Sequence, residues 1–246
     1  MSDESAVKLS VVIPAYNEEF RLPKTLNRSL EFLRAQSYSS EIIVVNDGST
    51  DGTEVVVRQQ SASPVPVKVI SHPDRANHGK GAAVRLGIMQ ARGAYRLFMD
   101  ADNSTTLDQV DRFWPLFSQG YDVVIGSRAL KDSVIGTHQS RPKEIAGRIG
   151  NWFIRRAAVP GICDTQAGFK MVTAEKAGII FPRLTIGRWG YDIEMLVIAR
   201  EHGCRIAEVP ITWINAPGSK VTMGSYLQVL GEVLRIRKNL KAGKYR

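Results

Sequence analysis

Two aspartates separated by one residue, Asp100 and Asp102, follow the short apolar run Tyr95–Met99. The run has the composition of a buried strand, and residues two apart in a strand point to the same side. Both carboxylates therefore leave the strand end together, and a hard divalent cation such as Mg²⁺ or Mn²⁺ would relieve their repulsion. Such an ion keeps coordination positions open that suit a diphosphate. The alternative is a solvated turn at the end of a strand.

Apolar segments with the composition of strands alternate with segments of helical periodicity through the first half of the chain. The predicted strands are Leu9–Ile13, Glu41–Val45, Val67–Ile70, Tyr95–Met99 and Tyr121–Ile125. The predicted helices are Leu22–Gln36, Gly81–Arg92 and Leu107–Gln119. Apolar strands that end in polar residues are typical of a parallel sheet, whose ligands lie beyond the carboxyl ends of the strands. The pattern predicts one α/β domain with a mostly parallel central sheet.

Two turns between these segments have the composition of anion-binding loops. Asp47 and Gly48 begin the turn after the second strand, where glycine and Asx residues permit tight bends. Lys80 follows Gly79 at the start of a predicted helix, which joins a flexible backbone to a positive charge at a helix N-terminus. Because this turn lacks the G-x-x-x-x-G-K-[ST] pattern, we do not expect an ATPase. The alternatives are a helix cap for Asp47 and an ordinary solvated residue for Lys80.

The length and composition of the chain restrict the number of domains, the state of the cysteines and the kind of partner. A length of 246 residues suits one large α/β domain, and no Pro/Gly/Ser-rich linker divides it. The two cysteines, Cys163 and Cys204, fit no metal-binding spacing and are expected to be reduced thiols of a cytosolic protein. We predict no signal peptide and no membrane span, since no apolar run reaches roughly 18–20 residues. The net charge of +9 indicates an anionic partner.

Two segments of the second half combine an apolar face with dense positive charge. They are Ile145–Val159 and Tyr226–Leu240, the latter followed by further basic residues up to Arg246. This combination is typical of helices that lie at a membrane interface. We therefore expect a domain over residues 1–220 and a basic amphipathic helix over residues 221–246 that contacts a membrane surface. The alternative is a helix that packs on its own domain and has a solvated basic end.

Four motifs follow one another in the first half of the chain. They are VVIPAYNEE at Val11–Glu19, VVNDGSTDGT at Val44–Thr53, FMDAD at Phe98–Asp102 and IGSR at Ile125–Arg128. In this order they resemble the motifs of family 2 glycosyltransferases. Four further segments resemble the dolichyl-phosphate β-glucosyltransferases of that family, so that the resemblance covers nearly the whole chain. They are HGKGAAVRLG, DTQAGFK, RWGYDIEMLVIA and GSK at Gly218–Lys220. The resemblance implies a GT-A fold, which is a Rossmann-like domain that binds a nucleotide sugar.

The resemblance also implies roles for individual residues on the donor side. The implied nucleotide-sugar site consists of Pro14, Ala15, Tyr16, Glu18, Asp47, Gly48, Lys80, Asp100, Ala101 and Asp102. Asp100 and Asp102 would hold Mg²⁺ or Mn²⁺ at the donor diphosphate, and Asp100 has the ribose as an alternative partner. In related mannose synthases a glutamine commonly stands two residues after the second aspartate, where this chain has Ser104. Ligands of the metal beyond Asp102 are therefore not predicted.

Three basic residues are candidates for the acceptor phosphate and for cancelling repulsion between two phosphorylated substrates: Arg128, Arg141 and Lys170. The alternative for Arg141 and Lys170 is an ordinary surface charge. Asp192 or Glu194 lies where relatives that glycosylate hydroxyl groups keep their catalytic base. A phosphate acceptor is already an anion near neutral pH, so we include Asp192 among the catalytic candidates only as a positioning group.

The expected function is inverting transfer of a hexose, with UDP-glucose favoured as donor, to a polyprenyl or dolichyl phosphate. Alternatives are mannose transfer from GDP-mannose to the same class of acceptor and a soluble family 2 enzyme that acts on a sugar hydroxyl. A basic nucleotide- or RNA-binding module is the non-enzymatic alternative. The chain lacks aromatic RNA-binding motifs, and no nucleic acid partner is expected. Eukaryotic members carry an N-terminal membrane anchor absent here, so we expect peripheral association with the cytoplasmic face of a membrane. No oligomeric state is predicted.

Overall fold

The computed structural model describes residues 7–60, 63–136, 159–214 and 223–246, except the side chains of Met223, Tyr226 and Leu227. Within these ranges seven strands form one sheet. They are β1 (Leu9–Ala15), β2 (Ser40–Asn46), β3 (Val67–Ser71), β4 (Tyr95–Met99), β5 (Val123–Ser127), β7 (Phe169–Thr173) and β8 (Ile206–Pro210). The order is β3-β2-β1-β4-β7-β5-β8, and only β7 runs antiparallel to its neighbours. The predicted α/β fold with a mostly parallel sheet is confirmed.

A second, smaller sheet consists of β6 (Val134–Ile135) and β9 (Thr212–Trp213), which pair in parallel. The sequence predicted one continuous last strand over Arg205–Ile214, and this prediction was wrong. The strand ends at Pro210, which has no N–H for a further ladder bond, and the chain then crosses to the smaller sheet.

Helices cover both faces of the large sheet. They are α1 (Leu22–Arg34), α2 (Thr53–Arg58), α3 (Lys80–Gln90), α4 (Trp114–Ser118), α5 (Ala174–Ile180), α6 (Tyr191–Glu201) and α7 (Met223–Lys241). The predicted helix over Leu107–Gln119 is instead a 3-10 turn, Leu107–Arg112, followed by α4. Pro115 explains the break, because it removes an N–H and its ring collides with the carbonyl four residues earlier.

The core consists of two clusters, one on each face of the large sheet. Leucines of α1 and aromatic residues near α4 fill one face, while α3, α5, α6 and α7 cover the other. Val229, Val233 and Ile236 of α7 belong to the second cluster, whereas Leu230 and Leu234 are exposed. The described part of the C-terminal helix therefore packs on the rest of the chain, as the alternative interpretation anticipated.

The apolar segment predicted over Ile145–Val159 lies almost wholly outside the described residues, as does Arg141. Across the described ranges no helix combines the length and the apolar character needed to cross a bilayer. The division into 1–220 and 221–246 stays a prediction.

Candidate active site

A cleft of about 360 Å³ opens where β1, β2 and β4 end. This edge is where a parallel sheet binds its ligands, because the loops that follow the strands meet there. The lining residues are Pro14, Ala15, Tyr16, Glu18, Arg21, Asp47, Asn77, Gly79, Lys80, Ala83, Asp100, Ala101, Asp102, Arg188 and Trp189. Nine of the ten residues predicted for the donor site thus line one cavity, and Gly48 is the exception.

The loops after β1 and β2 are joined by hydrogen bonds that fix one wall of the cleft. The Asn17 N–H donates to Ser49 Oγ at 3.0 Å, and the Glu18 N–H donates to Thr53 Oγ1 at 2.8 Å. In the opposite direction, the Thr50 N–H donates to Asn17 Oδ1 at 2.9 Å, so each loop supplies acceptors for the other loop's backbone. The carboxylate of Glu18 in turn accepts two bonds from Arg21, at 2.7 and 2.5 Å, which holds that guanidinium at the cleft.

Asp47 is held by backbone and side-chain donors of the loop before α3. Its carboxylate accepts from Asn77 Nδ2 at 3.0 Å and from the N–H groups of His78 and Gly79 at 2.9 Å. Gly48 allows the backbones of the two loops to approach closely. Its φ is +73°, and a Cβ at this position would lie 2.7 Å from the backbone of Asn77. Asp47 therefore does not cap α2, the helix that follows it in the chain, since its oxygens accept from the loop that leads into α3.

Lys80 and the Asp-Ala-Asp motif meet across the cleft. Lys80 Nζ lies 2.5 Å from Asp100 Oδ1, with the two side chains 23% and 35% exposed. Burial alone would lower the pKa of Lys80, but Asp100, Asp192 and Asp102 together raise it, so its ammonium group stays charged. Lys80 is therefore not an ordinary solvated helix residue.

The turn that contains Asp102 is tied to the rest of the domain at two points. Thr25 Oγ1 donates to the carbonyl of Ala101 at 2.6 Å, and the Ser104 N–H donates to Asp102 Oδ1 at 2.9 Å. Asn103 between them has a φ of +57°, a left-handed conformation that asparagine tolerates. The carboxylate of Asp102 thus faces the cleft from a turn with fixed ends.

The donor set at this point fits a hard divalent cation. Asp100 and Asp102 contribute carboxylate oxygens, and Mg²⁺ or Mn²⁺ can take its remaining ligands from phosphate and water. Gly168 leaves space for this carboxylate pair, because a Cβ there would lie 2.1 Å from Asp100 Oδ2. The described residues contain no group of three or more His, Cys, Asp or Glu side chains that could hold a metal by themselves.

The far wall of the cleft comes from a loop that the sequence-based prediction missed. Arg188 and Trp189, which precede α6, line the cleft. They follow Asp102 by 86 or more residues in the sequence. Buried Glu194 holds the start of this loop through the N–H groups of Thr185 and Ile186, at 2.9 and 2.8 Å. The sequence signal was the RWGYDIE segment itself, whose Arg188 and Trp189 were left without a donor-site role.

Tyr245, next to the C-terminal residue, reinforces the same loop. It is 1% exposed, and its hydroxyl donates to Glu194 Oε1 at 2.7 Å. At the other end of the loop the Gly190 N–H donates to Glu232 Oε2 of α7 at 2.6 Å. The C-terminal helix and its last residues therefore brace the wall that carries Arg188 and Trp189.

Arg128 lies at the end of β5, outside the cleft lining. Its Nε and Nη2 bind the two carboxylate oxygens of Asp164 at 2.7 and 2.9 Å, and its backbone N–H also donates to Asp164 at 2.9 Å. Burial alone would raise the pKa of Asp164, but the guanidinium of Arg128 lowers it. Arg128 keeps 33% of its side chain exposed, and the described bonds leave Nη1 for an anion.

Lys170 differs from both sequence-based interpretations. It is neither a surface charge nor exposed to a substrate, because its side chain is fully buried. Its Nζ donates to Asp192 Oδ1 at 2.6 Å and to the carbonyl of Ala167 at 2.5 Å. Burial raises the pKa of Asp192 and lowers that of Lys170. We therefore assign Lys170 to holding Asp192, which corrects its expected contact with the acceptor phosphate.

The comparisons with known proteins agree with this fold. Glucosyl-3-phosphoglycerate synthase from Mycobacterium tuberculosis, in complex with Mn²⁺, UDP and glucosyl-3-phosphoglycerate, superimposes with a TM-score of 0.68. The match covers 94% of this chain and 80% of that chain at 20% sequence identity. At this identity the likeness concerns the fold alone.

Relatives with higher identity include proteins named dolichyl-phosphate β-glucosyltransferase. The dolichyl-phosphate β-glucosyltransferase of Dictyostelium discoideum is 36% identical over 242 residues, which is 94% of this chain and 74% of that protein. The human protein of the same name is 36% identical over an alignment of 264 positions, gaps included. This alignment covers 99% of this chain and 79% of the human protein. The model of glycosyl transferase family 2 matches residues 10–177. The chain therefore belongs to glycosyl transferase family 2 and is a glycosyltransferase.

Proposed function

We propose that this protein transfers glucose from UDP-glucose to dolichyl phosphate or another polyprenyl phosphate, with inversion at the anomeric carbon. The similarity to dolichyl-phosphate β-glucosyltransferases over 94–99% of the chain supports the sugar and the class of acceptor. The donor cleft, with its paired aspartates, supports a nucleoside diphosphate leaving group.

The burial of Asp192 and its ion pair with Lys170 favour a phosphate acceptor over a hydroxyl acceptor. Transfer to a hydroxyl needs a general base that can accept its proton. Asp192 is buried, and its Oδ1 is bound to the ammonium group of Lys170, so it is poorly placed for that task. A phosphate monoester has a second pKa of about 6 and attacks as an anion without such help.

The reaction is then a single displacement. An oxygen of the acceptor phosphate attacks the anomeric carbon of glucose, and the bond to UDP breaks with its electron pair on the diphosphate. Asp47 and the loop 14–18 orient the nucleoside, while Lys80 holds Asp100 and adds positive charge beside the diphosphate. A divalent ion held by Asp100 and Asp102 would stabilise the negative charge of the leaving group. Arg128 offers its remaining N–H groups to the acceptor phosphate.

The proposed enzyme works at the cytoplasmic face of a membrane, to which it binds peripherally. The end of α7 and the residues after it support this, since they expose six basic side chains close in sequence to Leu230 and Leu234, which are also exposed. They are Arg235, Arg237, Lys238, Lys241, Lys244 and Arg246. Each basic residue near an anionic surface contributes about 1 kcal/mol to binding. Sedimentation with anionic but not with neutral vesicles is the expected result, and equal sedimentation with both would contradict electrostatic docking.

A panel of labelled nucleotide sugars tests the function. The protein is incubated with Mn²⁺ or Mg²⁺, a polyprenyl phosphate and each sugar nucleotide, including UDP-glucose and GDP-mannose. We expect acid-labile label from UDP-glucose in the organic phase. Asp102→Ala should lower the rate at least about 100-fold, because charge stabilisation by a metal is worth several kcal/mol.

Asp108→Ala is the matched control, since Asp108 is an exposed acid six residues further along the chain. Near-normal transfer by Asp102→Ala would contradict the assignment of the diphosphate site. Label from GDP-mannose alone would replace glucose by mannose, and label only in water-soluble products would exclude a lipid acceptor.

A further inference from the structure

The small sheet of β6 and β9 presents an exposed aliphatic surface next to the candidate active site. Val134 and Ile135 of β6 are 56% and 39% exposed, and Ile214, directly after β9, is 52% exposed. Gly136 packs beside Ile214, where a Cβ would lie 3.2 Å from its Cγ1. Ile135 pairs with Trp213 and shares its face of the small sheet, whereas Val134 and Ile214 lie on the opposite face, because side chains alternate along a strand. We call the edge of the small sheet that carries these three aliphatic side chains the aliphatic ribbon.

The ribbon is connected to the acceptor side through Trp213. The guanidinium of Arg128 lies 5.6 Å from the centre of the Trp213 ring, within the range of a cation–π contact. Ser133 Oγ, just before β6, donates to the carbonyl of Ser127 at 2.7 Å. The ribbon therefore begins beside the group that we assign to the acceptor phosphate.

The ribbon is also connected to the donor side. The Ile214 N–H donates to the carbonyl of Ser104 at 2.8 Å, and the Ser104 N–H donates to Asp102 at 2.9 Å. Buried Gln109 fixes β9 from below, because it exchanges two hydrogen bonds with the backbone of Thr212, at 2.6 and 2.8 Å. The aliphatic surface is thus held in place between Asp102 and Arg128.

We propose that the aliphatic ribbon binds the apolar chain of the acceptor where it leaves the phosphate, an inference that rests on the proposed function. The acceptor joins an anionic head to a long branched hydrocarbon. A guanidinium with an aliphatic surface directly beside it is complementary to both parts of such a molecule. Burying the hydrocarbon against Ile135, on the face of the ribbon that carries Trp213, removes apolar surface of both partners from water.

The test compares two acceptors in detergent, a long-chain polyprenyl phosphate and a five-carbon prenyl phosphate. The polar variant Ile135→Ser should lower the ratio of kcat/KM for the long over the short acceptor about tenfold, the lower end of the effect of methylene groups in apolar sites. The apolar variant Ile135→Leu should keep the ratio of the parent protein. Val55→Ser is the matched control, because Val55 is 58% exposed on α2, away from the ribbon.

The possible results separate the ribbon from the reaction. An unchanged ratio in the polar variant, with normal UDP-glucose dependence, would overturn the role of the ribbon and leave the proposed function intact. An unchanged ratio together with weaker sedimentation on vesicles would also overturn it, in favour of a membrane-docking surface. If the parent protein transfers glucose to neither prenyl phosphate, the proposed function and the ribbon fall together. A parallel loss for both acceptors would show damage to the site rather than loss of chain binding.

Discussion

The two sides of the candidate active site are built in different ways. On the donor side, polar residues follow the ends of adjacent strands, and backbone N–H groups bind the carboxylates of Asp47 and Asp102. On the acceptor side, charged side chains from distant positions pair with each other, and three of the four side chains are buried. Asp164 lies 36 residues after its partner Arg128, and Asp192 lies 22 residues after Lys170.

This difference concerns how each side tolerates change. A hydrogen bond from a backbone group survives most substitutions of the residue that carries it. A buried ion pair does not, because removing one partner leaves the other charge without water or a counter-ion. On the donor side, a single substitution should therefore lower the activity without unfolding the protein. On the acceptor side, removal of one charge should lower the free energy of unfolding.

Lys170→Met tests this contrast most directly. The substitution keeps a long apolar side chain but leaves Asp192 buried and unpaired, so we expect a loss of about 3–5 kcal/mol in the free energy of unfolding. Denaturation by urea, followed by circular dichroism, measures the loss. The double variant Lys170→Met/Asp192→Asn should recover much of it, because no charge is then buried alone. A destabilisation below about 1 kcal/mol in the single variant would show that the pair does not support the fold.

The donor side was largely predictable from the sequence. Its residues follow the ends of parallel strands, so the α/β pattern alone places Pro14, Asp47 and Asp100 at one edge of the sheet. Family resemblance added the roles of Tyr16 and Glu18. The exact ends of elements were less predictable: β1 passes through Pro14, because pairing with β4 stops at Val12 and leaves that side of the strand open.

The acceptor side was not predictable in the same way. Lys170 stands in a segment, DTQAGFK, whose charges give no sign of burial, and a lysine is almost never fully buried unless it is paired. The partner that pairs it, Asp192, is on a helix that meets β7 only in the folded chain. Nor did any local pattern reveal that Glu194 and Tyr245 brace the loop with Arg188 and Trp189. Tertiary contacts decided these positions.

Gly168→Ala tests the junction between the two sides, because Gly168 precedes β7 and supports Asp100. The added Cβ would lie 2.1 Å from Asp100 Oδ2, so the carboxylate must move or rotate away. A displacement of about 1 Å at a reacting centre can cost on the order of 100-fold, and we expect a loss in kcat/KM for UDP-glucose of about 10- to 100-fold. Steady-state kinetics at several metal concentrations measures it.

Gly178→Ala is the matched control for this substitution. Gly178 lies in α5, and an added Cβ there has no neighbour within 4 Å. Alanine in a helix is more favourable than glycine by up to about 1 kcal/mol, so the control should be slightly more stable and equally active. Equal activity of both variants would show that the position of Asp100 is not critical.

His72, on the donor side, has a largely buried imidazole whose charge can change with pH. Its Nε2 is buried, lies 3.8 Å from Asp47 Oδ1 and has no hydrogen-bond partner in the described part of the chain. Burial foremost, and then His78, lower the pKa of His72 from its ordinary value of 6.5, despite the opposing effect of Asp47 and Asp74. Below pH 6.5 the unfolded chain therefore binds a proton at this residue more readily than the native protein does.

The free energy of unfolding should consequently fall as the pH drops below about 6.5, and this fall is the smallest effect predicted here. His72→Phe removes the titrating group and should make the stability less dependent on pH between 5 and 7, as measured by urea denaturation across that range. His202→Gln serves as a control in another part of the fold. The free energy of unfolding of the parent protein and of His72→Phe could instead change with pH to the same extent. The imidazole would then have the same pKa in the native and the unfolded state, and its position beside Asp47 would not affect stability.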